Sequence, residues 1–179
     1  MKKAFYKPSL ILFALAIIVL ANVNSGCGIY KLTESEPLPD SIKTFRVVTM
    51  LNSAPYQNPQ LAPNLSEKLR QKIGGQTKLI ATNNDNAHYD ISGTITDYSP
   101  STTGVSNTNG QTQASLNRLT VSVHIVVNKT LSNEKEEFDI SRSFDFNANR
   151  SLQSVESELL PEIVRNLSDE IFNRLFSKW

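Results

Sequence analysis

The chain has 179 residues, a formal net charge of +1 and a single cysteine. One cysteine cannot form a disulfide within the chain, so the fold must rely on an apolar core, which a chain of this length can build. The near balance of basic and acidic residues gives no electrostatic case for binding nucleic acid.

The first 26 residues are typical of a bacterial secretory signal peptide. Three lysines precede an unbroken run of twelve apolar residues, 10–21, and small residues then lead to Cys27. Twelve apolar residues are too few for a membrane-crossing helix, which needs about 20, so a permanent transmembrane anchor is the weaker alternative. Without those lysines the chain has 15 basic against 17 acidic residues, a net charge of −2.

Cys27 is the predicted site of lipid attachment. Gly26-Cys27 resembles the bacterial lipobox, in which a small residue precedes the acylated cysteine, although Asn24 stands where leucine is usual. Several acyl chains on one residue anchor a protein firmly. We therefore predict a signal peptide over 1–26, a lipidated tether over 27–43 and a single domain over 44–179. Secretion with a free cysteine is the alternative.

The domain is predicted to open with a strand, a helix and a short strand. Residues 44–51 alternate as a strand, with Phe45, Val47 and Leu51 on one side. Gly74-Gly75 is expected to end the helix, and residues 77–82 form the short strand. The helix is indicated by apolar residues spaced by four, which lie on one face: Leu61, Leu65, Leu69 and Ile73.

Three longer strands follow, over residues 89–96, 119–128 and 138–146. Apolar and polar residues alternate in each, which is typical of a sheet with one buried and one wet face. Arg142 interrupts the apolar side of the last strand, which indicates a sheet edge or a bulge. Residues 99–115 are rich in hydroxyls and amides, carry no charge, and are predicted to form a long loop.

A second amphipathic helix ends the chain, with its apolar residues at helical spacing between Leu159 and Phe176. Ser154 or Ser157 is the expected cap, and Pro161 implies that the helix begins near Ser157 or kinks. Two helices can cover only one face of a sheet. The predicted fold is therefore α+β: a two-layer sandwich with two helices on one face of a mixed four- to five-stranded sheet, ordered β-α-β-β-β-β-α with the second strand short.

The chain carries none of the common catalytic or nucleotide-binding motifs. His124 lies on a polar strand face, where a solvated side chain is expected rather than a ligand. We predict that the protein is not an enzyme and that it uses no cofactor and no metal. A pair of carboxylates that meet in space is the alternative that spacing alone leaves open.

The chain resembles LptE, the lipoprotein family of the outer-membrane lipopolysaccharide (LPS) assembly machine, in its Bacteroidetes-like form. The likeness covers nearly all of the chain after the signal peptide and consists of many short matches in order rather than one motif. These matches are GCGIYKLT, NSAPYQNPQLAPNLSEKL, QTKLIATNNDNAHYDISGTITDYSP, QASLNRLTVSVHIVVNKT and SLQSVESELLPEIVRNLSDEIFNRLFSKW.

The resemblance implies an outer-membrane lipoprotein that plugs a large β-barrel, LptD, and supports LPS transport to the outer leaflet. Its implied partners are LptD, LPS and the membrane that holds the lipid on Cys27, with the domain in the periplasm or the barrel lumen. Four basic residues are candidates for meeting lipid phosphates, although none matches a family motif: Lys78, Arg118, Lys129 and Arg142.

Two other functions remain open at this point. The first is a stand-alone periplasmic or surface lipoprotein that binds a ligand without a barrel partner. The second is a lipoprotein hydrolase that acts on the cell wall or on glycans. Copurification with a barrel distinguishes the stand-alone lipoprotein from an LptE-like protein. Substitution of acidic residues tests for a hydrolase.

Overall fold

The computed structural model describes residues 38–108 and 111–177. Lipidation of Cys27 and the signal peptide fall outside these residues. Six strands and two helices form the described part of the chain. They are β1 (Thr44–Val47), β2 (Leu51–Asn52), α1 (Leu61–Gln76), β3 (Ile80–Ala81), β4 (Tyr89–Thr108), β5 (Gln111–Lys129), β6 (Glu134–Asn147) and α2 (Leu152–Phe176).

All six strands belong to one mixed sheet with the order β3-β1-β4-β5-β6, and β2 also pairs with β4. The strands β1 and β3 are parallel, as are β1 and β4, whereas β4, β5 and β6 are antiparallel. This confirms the predicted α+β class with two helices and a mixed sheet. The sheet has six strands rather than four or five because the first predicted strand is divided in two.

The division falls at residues 48–50. After it, even-numbered rather than odd-numbered residues are buried. Met50 is 3% exposed and Leu51 is 67% exposed, the opposite of the predicted alternation. The N–H of Met50 donates to Ser66 Oγ of α1 over 2.9 Å instead of to a strand. A Cβ on Gly93 would lie 3.3 Å from Met50 Cγ, so this glycine leaves room for the methionine.

The core lies between the two helices and the apolar face of the sheet. The four α1 residues predicted to share a buried face are all fully buried. From α2, Ile163, Leu167 and Ile171 are also fully buried. Lys72 of α1 and Asp169 of α2 form an ion pair of 2.8 Å between the helices. The sheet contributes its apolar side through Leu119, Val121, Val123, Ile125 and Val127 of β5 and through Phe138, Ile140, Phe144 and Phe146 of β6.

In each helix, one terminus differs from its prediction. The helix α1 continues past Gly74-Gly75 to Gln76, because Thr77 caps it: its N–H and its Oγ1 both donate to Ile73 O, over 3.0 and 2.7 Å. The glycine cap was therefore a wrong prediction.

The helix α2 begins at Leu152, well before Ser157, and contains Pro161. Its cap is Ser151, whose side chain accepts the N–H of Ser154 over 3.3 Å, so the predicted caps at Ser154 and Ser157 are wrong. Pro161 lies on the exposed side of the helix. The helix therefore tolerates the proline without burying the backbone groups that it leaves without partners.

Residues 99–115 do not form the predicted loop. The strands β4 and β5 pair as one antiparallel hairpin from Tyr89 and Lys129 up to Thr108 and Gln111, with register shifts near Gly104. The threonines of this stretch suit extended backbone, since β-branched residues are favoured in strands. The sequence between the paired ends is Asn109-Gly110, the dipeptide most typical of a two-residue hairpin turn, so the sequence does contain a local signal for this hairpin.

Arg142 marks a sheet edge, which is one of the two alternatives that its position predicted. β6 pairs with β5 without a register shift and is the last strand on its side of the described sheet. On the apolar side of β6, which faces the helices, Arg142 forms an ion pair with Glu170 of α2. An inward-pointing charge on an edge strand discourages pairing with another chain.

Replacing Leu167 with alanine is expected to lower the free energy of unfolding by about 2–5 kcal/mol, because the side chain is fully buried between α2 and the sheet. Urea unfolding followed by circular dichroism measures the change. Arg165→Ala, an exposed change on the same helix, is the matched control and should have little effect. Equal stability of Leu167→Ala and wild type would contradict the proposed packing.

Candidate interaction surface

The face of the sheet opposite the helices is polar across β4, β5 and β6. We call it the open face and define it by the rows that the strand register produces. Its central rows align Thr94 with His124 and Asp139, then Asp97 with Ser122 and Ser141, then Ser99 with Thr120 and Ser143. These side chains are half-buried or exposed, because no described helix covers them.

Hydroxyl groups pair across the open face between β5 and β6. Ser122 Oγ donates to Ser141 Oγ over 3.0 Å, and the hydroxyls of Thr120 and Ser143 lie 3.2 Å apart. Each hydroxyl can both donate and accept, so it keeps capacity for a further hydrogen bond. The open face can therefore bind a polar surface without first breaking an ion pair at these positions.

The charges at the two ends of the open face are paired. Arg118 donates to both carboxylate oxygens of Asp145 over 2.7 and 2.9 Å. Arg46 does the same with Asp90 over 2.7 and 2.9 Å and also contacts Asp85; these hydrogen bonds raise the pKa of Arg46. The sequence contains no local signal for these pairs, because the partners lie 27 to 44 residues apart.

The structure does not bring together the four basic residues considered for lipid phosphates. Arg118 pairs with Asp145, Lys129 with Glu136 over 2.8 Å, and Arg142 with Glu170. These three therefore have carboxylate partners already. Lys78 instead lines a groove at another place, beyond the C-terminus of α1.

His124 lies on the open face as predicted, with its Nδ1 2.8 Å from Asp139 Oδ1 and its Nε2 3.8 Å from Glu137 Oε2. Within the described part of the chain, no group of three or more histidine, cysteine or acidic side chains is arranged to hold a metal ion. Neither described helix has the length and apolar character needed to cross a membrane.

The hairpin formed by β4 and β5 extends past the ends of the strands on either side of it. β2 pairs with β4 only as far as Ile95, and β6 pairs with β5 only from Leu116. Residues 105–108 and 111–115 are therefore paired with each other but with no third strand of the described sheet. We call these residues the hairpin extension.

The LptE family, described as lipopolysaccharide-assembly, matches residues 42–175 of the chain. This match spans both helices and every strand of the sheet. The chain belongs to the LptE family. It is thus a member of a lipopolysaccharide-assembly family, as the sequence matches had predicted, and the open face is one surface of an LptE domain.

Solved structures similar to the chain include three bacterial lipoproteins. A minor lipoprotein from Acinetobacter baumannii has 14% identity and a TM-score of 0.47, covering 75% of this chain and 93% of its own. Rare lipoprotein B from Shewanella oneidensis has 17% identity and a TM-score of 0.44, covering 74% and 93%. Lipoprotein GNA1162 from Neisseria meningitidis has 12% identity and a TM-score of 0.39, covering 71% and 99%. No curated protein matches the chain.

The ion pair between Arg118 and Asp145 generates a pH-dependent prediction. Hydrogen bonds from Arg118 lower the pKa of the Asp145 carboxyl. A lowered folded-state pKa stabilises the fold above the unfolded pKa, and this contribution is lost as the pH falls through the folded value. In Arg118→Gln the pKa of Asp145 should rise toward its ordinary value of about 3.9, as followed by carboxyl NMR titration.

Glu137 provides the internal control for that titration. Its pKa is lowered by a different cation, Lys135, so it should titrate alike in wild type and Arg118→Gln. An unchanged pKa of Asp145 in the variant would show that the pair does not form in solution.

Proposed function

We propose that this LptE-family protein is an outer-membrane lipoprotein, anchored through Cys27, that partners the LPS-assembly β-barrel LptD and occupies its lumen. In this proposal it supports the movement of LPS to the outer leaflet and has no catalytic activity. The family match over residues 42–175 carries the proposal. A signal peptide over 1–26 and a lipidated tether over 27–43 complete the proposed organisation.

The open face supports the barrel partnership on physical grounds. The lumen of a membrane β-barrel is polar, so a domain inside it needs an apolar core of its own and a polar exterior. The hydroxyl pairs of β5 and β6 provide hydrogen-bonding groups, and the charges at either end of the face already have partners. The carboxylate of Asp97, in the row of Ser122 and Ser141, accepts a hydrogen bond from Ser99 Oγ over 3.0 Å. The hydroxyl pairs themselves can meet a polar wall without the desolvation of an ion, which would cost much free energy.

The hairpin extension supports the same partnership. Its residues carry no charge, and they project past the strands that flank the hairpin. A two-stranded projection gains little from packing within its own domain. Contact with a partner is therefore the role that best accounts for its length.

Changing Cys27 to alanine is expected to abolish lipid labelling and to release the domain from the membrane fraction. The reason is that Cys27 is the single cysteine of the chain and follows the apolar signal. Labelling cells with a radioactive fatty acid, followed by fractionation, measures both effects. A cleaved, unlabelled variant that stays in the membrane as wild type does would contradict lipid anchoring at this residue.

Shortening the hairpin tests the barrel contact. Removing residues 103–108 and 111–116 joins Thr102 and Asn117, which pair directly, through the natural Asn109-Gly110 dipeptide. The variant should stay folded, because the deleted residues contribute no fully buried core side chain among those described. It should copurify with LptD in clearly lower yield and leave cells more sensitive to large hydrophobic antibiotics.

The open face has its own matched pair of variants. Ser122→Lys places an ion on the face and should weaken the complex, whereas Ser122→Thr keeps the hydroxyl and should not. Wild-type yields for both the shortened hairpin and Ser122→Lys would remove these two surfaces from the interface. If the intact protein isolates no barrel, the plug proposal is wrong and a stand-alone binding lipoprotein takes its place.

A further inference from the structure

A groove of about 470 Å³ opens at the end of the domain where the described chain begins. We call it the tether-end groove. Its apolar lining includes Leu38 and Ile42 from the segment before β1, Leu79 from the segment before β3, and Phe172 and Phe176 from the end of α2. Leu38 and Ile42 fall in the predicted tether, yet both pack against the core.

Basic side chains stand at the rim of this groove. Lys43 and Lys78 line it and are both exposed, and Asp40 is the acidic residue that also lines it. Exposed cationic groups thus border the apolar lining of the groove.

The C-terminal ends of both helices also meet the groove, through Thr77 and Ser177. Helix C-termini carry partial negative charge, which opposes the binding of an anion. Here the N–H groups of Thr77 and Ser177 already bond to the carbonyls of Ile73 and Asn173, over 3.0 and 2.8 Å. The exposed lysines are therefore the full charges that an approaching anionic surface meets first, and they outnumber Asp40.

The path of the chain decides what occupies this groove. Only residues 28–37 separate Cys27 from Leu38, and ten residues span at most about 36 Å. A lipid on Cys27 would thus hold the groove close to the bilayer, at a high effective concentration for even a weak contact.

We propose that the tether-end groove and its lysine rim seat the domain on the anionic phospholipid surface of the leaflet that holds the anchor. The inference rests on the proposed lipidation of Cys27. Lysines near an anionic bilayer are attracted to its headgroups, and exposed apolar side chains enter the interface beside them. The long methylene stems of Lys43 and Lys78 allow their charges to stay at the phosphates while the apolar side chains of the groove face the interface.

Flotation with lipid vesicles tests this surface without the anchor. The protein from Cys27 to Trp179 with Cys27→Ser retains every described core residue and carries no lipid. It should float with vesicles of phosphatidylcholine and phosphatidylglycerol, but not with phosphatidylcholine alone. Replacing Lys43 and Lys78 with glutamine should weaken binding about tenfold or more. Leu38→Asn, which removes a half-buried apolar side chain from the groove lining, should weaken it as well.

Matched control variants carry the same kinds of substitution at positions away from the groove. Glutamine at Lys68 and Lys135 removes two charges away from the groove, and Leu51→Asn removes an exposed apolar side chain from β2. Both controls should bind nearly as wild type does. Equal losses in the groove variant and the lysine control would overturn the inference, since only net charge would then matter.

Two further outcomes also overturn it: no flotation of the wild type with anionic vesicles, or flotation only when LPS is added. The second would assign the groove to the transported lipid instead of the phospholipid surface. Copurification with LptD is measured separately, so the docking proposal can fail while the barrel proposal stands.

Discussion

The structure depends on a sheet that is covered on one side only. α1 packs beside β1 and β3, α2 packs beside β6 and against α1, and no described element covers the other side of the sheet. Strand geometry then forces every second residue of three long strands into contact with solvent or a partner. The same alternation that builds the core through Val121 and Val123 therefore presents Ser122 and its neighbours outward, so stability and the interaction surface come from one pattern.

Much of this arrangement follows from residue periodicity. In α1 the apolar residues are spaced by four, and in β5 and β6 they alternate with polar residues. Both patterns show which side of the element is buried, because apolar side chains stabilise the fold when they are removed from water. The paired charges of the open face were beyond sequence reasoning, since Arg118 and Asp145 meet only after β5 and β6 align. Lipidation of Cys27 stays a prediction, drawn from the local composition of the segment before it.

The failures have a common physical origin in backbone hydrogen bonding. The hydroxyl-rich residues 99–115 lack an apolar alternation, yet they form strands because each strand supplies the hydrogen-bonding groups of the other. Likewise, Ser66 captures the N–H of Met50 and Thr77 captures the carbonyl of Ile73, which moves one strand break and one helix end. Hydrogen bonds of this kind do not alter the hydropathy pattern of the sequence. For the hairpin, the sequence signal is the Asn109-Gly110 dipeptide.

The strand β4 is long compared with the thickness of a membrane. Twenty residues of strand extend on the order of 60 Å, which exceeds the full thickness of a bilayer, about 40–45 Å with its headgroups. The strand starts at Tyr89, beside β1 and the segment that leads back to Cys27, and runs away from it. In the proposed lumen position, a domain held at one membrane surface would thus extend far enough to carry the paired residues Thr108 and Gln111 to the opposite surface. In that position, one pair of strands would link the two sides of the membrane.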